Sequence, residues 1–297
     1  MFDLRYHVAS LAAVFVALVL GIFVGVGLSG RGFVSDAERE NLQARIDELR
    51  AERDQAVRRL GDASLRDVAF DEFVRVSYAE LVRGRLQGKT IALVFVGSVD
   101  QGIAQTVRRA VVDAGGRVAM LRALRVPLAS DAVDVRLRTD PDTRQLAGPD
   151  NREALGRELA RELVGVQPAP VLDLVAAELV EEQSGSAAVV VDGVVVARPA
   201  PPQRGETPEL LAGLYAGLAA AQAPAVGVDE SDVAAAAAPV FRRRGLATVS
   251  GIDETGGRIA LVFLLAGART GSYGIGEDAV DGALPEPAPG PEQPADG

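Results

Sequence analysis

From Val8 to Gly30 no ionisable side chain occurs, and the stretch LAAVFVALVLGIFV is apolar at nearly every position. An unbroken run of this kind has neither the two-residue period of a strand nor the polar face of a surface helix. At a rise of about 1.5 Å per residue, roughly 23 helical residues span about 34 Å, the thickness of a bilayer's hydrocarbon core. The pattern predicts a transmembrane signal anchor over 8–30, behind a short N-terminal tail over 1–7. The run exceeds the 7 to 15 apolar residues of a cleavable signal and ends without an A-x-A-like site. Gly21, Gly25 and Ser29 recur at steps of four, so three small side chains share one face where a second helix can approach.

The same glycines spell GVGLSG (Gly25–Gly30), which matches the G-x-G-x-x-G letters of a dinucleotide-binding turn. That turn needs a strand of half a dozen residues before it and an amphipathic helix after it. Here the motif is the end of a 23-residue apolar run read as one helix, so no nucleotide is predicted.

Beyond Arg31 the pattern becomes amphipathic. SDAE from Ser35 reads as a capping box that starts a new helix. Leu42, Ile46, Leu49, Arg53, Ala56 and Leu60 then follow at spacings of 4, 3, 4, 3 and 4, the seam of a heptad coiled coil over 33–62. A stripe only two positions wide suits pairing with a second helix better than burial against a domain, where three are usual. The membrane helix raises the effective concentration of a second copy. A homodimer through both helices is therefore expected; a single helix folded back on the domain is the competing arrangement.

A third pattern fills 63–280. A helical stretch from Leu65 to Leu86 stops at Gly88, KTIALVFVG (89–97) is a continuous apolar strand, GIAQTVRRAVVDAGG (102–116) a helix, and RVAMLRAL (117–124) a strand. A strand apolar on both faces within a βαβ unit implies a parallel sheet. Further strands are predicted at 187–191, 225–228 and 258–265, with helices at 152–164, 171–182, 209–221 and 232–243. VVVDGVVV (189–196) could instead turn on Asp192-Gly193 as a hairpin. The fold class is α/β: a single N-terminal transmembrane helix, a short coiled coil, then a layered α/β domain with a mostly parallel sheet. The tail over 281–297, rich in Pro and Glu, is expected to be disordered.

Composition narrows the chemistry. The net charge of −10 argues against nucleic acid, which needs a concentrated basic face. Arg242–Arg244 is read as a helix C-terminus closed by Gly245. With no cysteine, disulfides and thiolate metal sites are excluded. GSVDQG after the first strand lacks the Lys and Ser/Thr of a P-loop, and the single histidine, His7, lies beside the anchor, away from any serine triad. Asp253-Glu254 reads as a solvated turn. No catalytic, cofactor or metal residue is assigned, and the chain is expected not to be an enzyme.

In order, DLRYHVASLAAVFVALVLGIFVGVG, QARIDELRAERD, GKTIALVFV, GRIALVFLL and GSYGIG resemble the actinobacterial family typified by mycobacterial copper transport protein B, from Asp3 to about Gly276. The resemblance implies copper export or tolerance. A related branch resembles the membrane-anchored partner of a cell-division protein that controls septal wall hydrolysis and daughter-cell separation. Both imply a single-pass cell-membrane protein of the envelope, with a cytoplasmic N-terminus and the main domain outside. Copper sites usually employ thiolate, thioether or imidazole ligands. Beyond Met1 this chain offers only His7 and Met120, and it lacks the alternating segments of an outer-membrane barrel.

Overall fold

The apolar run forms helix α1 (Leu4–Ser29), and Tyr6–Gly27 within it is long and apolar enough to cross a bilayer. The protein is seen here as a computed structural model that describes residues 4–29, 36–164, 169–185, 190–199, 201–231 and 236–288. The chain divides into two units, residues 1–69 and 70–297.

The amphipathic segment forms α2 (Asp36–Val82), a single 47-residue helix, about 70 Å long at 1.5 Å per residue. The heptad segment and the helical stretch from Leu65 are therefore one continuous helix. Gly61, between them, costs a helix only about 1 kcal/mol, and no proline follows to enforce a stop. Pairs one turn apart, Asp47–Arg50, Glu72–Arg75 and Glu80–Arg83, add small increments along the surface. Ser35, the proposed cap, lies outside the described residues. The helix ends at Val82, short of the predicted Leu86, and the chain turns through Gly84 and Gly88, both at positive φ.

The second unit is built on a seven-stranded sheet. Its strands are β1 (Thr90–Val96), β2 (Arg117–Leu124), β3 (Val180–Gly185), β4 (Gly193–Ala197), β5 (Ala225–Asp229), β6 (Ala247–Ser250) and β7 (Ser272–Gly274), in the order β3-β2-β1-β4-β5-β6-β7. All neighbours are parallel except β2 and β3. All seven residues of β1 are buried, as its unbroken apolar run requires. One face is covered by α3 (Gln101–Asp113), α9 (Thr255–Leu265) and, from α2, Val74 and Val82. The other is covered by α4 (Ser130–Thr139), α5 (Arg152–Leu163), α6 (Pro170–Leu179), α7 (Thr207–Ala219) and the short α8 (Ala238–Arg243). The α/β class and the mostly parallel sheet hold as expected.

Helices α5 and α7 lie unusually close. A Cβ placed on Gly213 would meet the Glu153 carbonyl oxygen at 2.1 Å, and one on Gly156 would meet that of Leu210 at 2.1 Å. Arg152, buried beside this contact, pairs with Asp134 at 2.7 Å and Glu206 at 2.6 Å, tying α4 and α5 to the start of α7.

Several predicted elements are corrected. Residues 258–265 belong to helix α9, not to a strand. A continuous apolar run fits a buried helix as well as a buried strand. Gly257 decides for close helix packing, since a Cβ there would sit 2.0 Å from the Gly251 carbonyl oxygen. The strands of that region are instead the short ATVS of β6 and SYG of β7. The helix predicted to 182 ends at Leu179, and its last residues enter β3, where Glu182 faces Ala123 in the ladder. The strand predicted at 187–191 is replaced by β4, which begins two residues after the predicted end; 187–189 lie outside the described residues, and Val190 and Val191 are not in a strand. Of the helix predicted from 232, residues 232–235 also lie outside, and α8 begins at Ala238. Arg242 and Arg243 close α8, and Gly245 follows at φ +86, as read from the sequence. In the tail, Gly282 and Ala283 carbonyls accept from the Gly274 amide; residues 289–297 are not described.

Candidate functional site

The strand order reverses between β1 and β4, and in doubly wound sheets the crevice at the carboxyl ends of such strands is where ligands bind. Here β1 runs into Gly97, at φ +100, and then to Asp100, whose carboxylate accepts from the Ile103 amide at 3.0 Å and caps α3. A dinucleotide would place its pyrophosphate at this helix start. A carboxylate stands there instead. Glu230, after β5, approaches the same point: a Cβ on Gly102 would lie 3.2 Å from Asp100 Oδ1 and 3.9 Å from Glu230 Oε1. Burial, then the charges of Asp100 and Asp253, push the Glu230 carboxyl above its ordinary range. Asp253 is exposed and accepts from the Ser231 amide at 2.7 Å and the Ser231 hydroxyl at 2.6 Å, so the acidic turn is a surface feature. This corner repels a polyanion, which accords with the absence of a P-loop signature.

The predicted packing residues lie on the two long helices. Gly21 and Gly25 sit on α1 with nothing within 4 Å of a built Cβ, and Ser29 ends the helix. Leu42, Ile46, Leu49, Ala56 and Leu60 are all exposed on α2. Farther along, Val74 and Val82 are buried in the α/β core, whereas Phe70, Phe73 and Val76 are exposed. The heptad residues therefore form no core within their own unit.

The two copper donors named from the sequence belong to different units. Met120 is 4% exposed within β2, packed among aliphatic side chains, and His7 is exposed on α1. No group of three or more His, Cys, Asp or Glu residues among those described could hold a metal ion.

One bilayer-length apolar helix, a long charged helix and a doubly wound α/β domain together define a class of architecture quite unlike a closed antiparallel barrel. Within that class the chain belongs to the MctB family, described as copper transport outer membrane protein, whose model matches residues 1–284. It is similar to the copper transporters MctB of Mycobacterium bovis and Mycobacterium tuberculosis, at 30% identity over 120 residues. That match covers 40% of this chain and 36% of the length of those curated relatives.

Proposed function

We propose that this chain is a non-enzymatic, membrane-anchored envelope protein that acts in copper homeostasis by association with other chains, without ligating copper itself. The family and its curated members support the copper role. The single observation that carries the second half is the contrast between the two sets of residues. The heptad side chains Leu42, Ile46, Leu49 and Leu60 stand exposed, while Met120 fills space in a core strand, the usual task of a buried methionine. Carboxylates and carbonyls alone select poorly for copper. In this reading α1 crosses the cytoplasmic membrane with its N-terminus inside, the α/β domain lies outside, and two copies pair through the Gly21–Gly25–Ser29 face and the heptad seam. The same seam would serve the alternative role, docking of a cell-division partner that governs septal wall hydrolysis.

A competition for Cu(I) between the full chain in detergent and a chromophoric chelator tests the claim. The expected result is no transfer to the protein at micromolar free metal. Stoichiometric uptake that disappears in His7→Ala/Met120→Leu would replace this reading with direct transport.

A further inference from the structure

The sheet has two edges, and the chain treats them differently. At β7 it folds back on itself. The Ser272 amide donates to Asp281 Oδ2 at 2.8 Å, the Asp281 amide to the Ser272 carbonyl at 2.9 Å and the Gly274 amide to the Ala283 carbonyl at 3.1 Å, so residues 281–283 cover that edge. At the other end of the order stands β3, antiparallel to β2 and paired with no other strand. Alternate residues of such a strand point N–H and C=O away from the sheet, ready to pair with another chain. Among the described residues, nothing outside β2 bonds to the backbone of Glu181–Gly185. All five are exposed, which leaves the space beside the edge open to solvent.

The charge on this edge narrows what can pair with it. The ladder is regular from Glu182 to Gly185, and a bulge sets Glu181 apart. Glu182 stands opposite Ala123 and so on the face of α3 and α9, while Gln183 stands opposite Arg122 on the other face. Neither Glu181 nor Glu182 is ion-paired among the described residues. Arg122 is only 5% exposed, so the carboxylates dominate the rim. Opposite charges across a ladder attract and like charges repel. Pairing with β3 of a second copy would bring two Glu181-Glu182 pairs onto neighbouring strands, which disfavours it. Acidic residues on an edge also deter indiscriminate pairing. A charge that repels most strands selects those that neutralise it.

We infer that the outer edge of β3 takes up an extended, cationic segment of another polypeptide, which adds a strand beside Glu182–Gly185. Main-chain hydrogen bonds hold the segment, and a Lys or Arg opposite Glu182 selects it. The site is separate from the heptad seam and from copper, so the outcome for one does not decide the other.

The test is binding of fluorescein-labelled peptides to the full chain in uncharged detergent at low salt, read by anisotropy. The probe is a capped peptide of alternating Thr and Lys, about nine residues long, which puts a strand former on one face and a cation on the other. Two companions separate the causes. One alternates Thr with Glu; the other is the Thr-Lys peptide N-methylated throughout, which keeps the charge and loses its backbone donors. The Thr-Lys peptide should bind saturably and slow amide exchange within β3, and the Thr-Glu peptide should not bind. N-methylation should weaken binding at least about tenfold, as loss of several main-chain hydrogen bonds requires. Glu182→Lys, a change at an exposed position, should weaken the Thr-Lys peptide about tenfold and admit the Thr-Glu peptide, a gain that misfolding cannot mimic. No saturable binding in the wild type, equal binding after N-methylation, or an affinity for Thr-Lys unchanged in Glu182→Lys would each overturn the assignment.

Discussion

Single residues set the tightest contacts in the second unit, and glycine is where they are most exposed to test. Gly213 lets α7 lie against the α5 backbone, since a Cβ would stand 2.1 Å from the Glu153 carbonyl oxygen. Gly213→Ala must push two helices apart, and overpacking of this kind costs about 1–3 kcal/mol. Gly61, in the exposed stretch of α2, has nothing within 4 Å of a built Cβ. There Gly61→Ala should stabilise by up to about 1 kcal/mol through helix propensity alone. Chemical denaturation of the two variants should move in opposite directions. Glu230 offers a second test, of sign. Its carboxyl lies above the ordinary 4.5, because burial and then Asp100 and Asp253 disfavour the charge. The folded state thus keeps a proton that the unfolded chain has lost, and the associated stability, present below the unfolded value, disappears as pH rises through the folded one. Glu230→Gln should melt above the wild type at neutral pH, with the gap closing as pH falls towards 4.5; a gap that widens would contradict the described corner.

At the scale of elements, legibility followed the strength of each periodic signal. The strand β1, the helix α3 and the strand β2 could be read because the apolar run IALVFV, an amphipathic thirteen-residue helix and Gly115-Gly116 punctuate one another. The α9 run could not, because Ile259 to Leu265 are buried all round and a helix so placed shows no period to read. β6 and β7 were missed for the opposite reason: four and three residues are too few to display alternation. The heptad of α2, by contrast, was visible as a pattern before any coordinate. If it pairs two chains, Ile46→Asp with Leu49→Asp places charge in the seam and should convert a detergent-solubilised dimer to monomer in sedimentation velocity. A wild-type chain that already sediments as a monomer would instead favour a helix that acts alone.

At the scale of the molecule, a membership shown over residues 1–284 meets a chain without a copper-binding constellation among its described residues. The two are compatible in the proposed reading, where the copper role rests on what the protein assembles with. That claim is tested most directly by copper tolerance in cells that lack the chain and are complemented with variants at equal expression. His7→Ala/Met120→Leu keeps the core volume at position 120 nearly constant, since Leu and Met exchange at little cost, and it should restore tolerance as fully as the wild type. Ile46→Asp/Leu49→Asp should fail to restore it. Full tolerance from the seam variant together with loss in the His7 and Met120 variant would contradict the account and assign copper handling to the chain's own side chains.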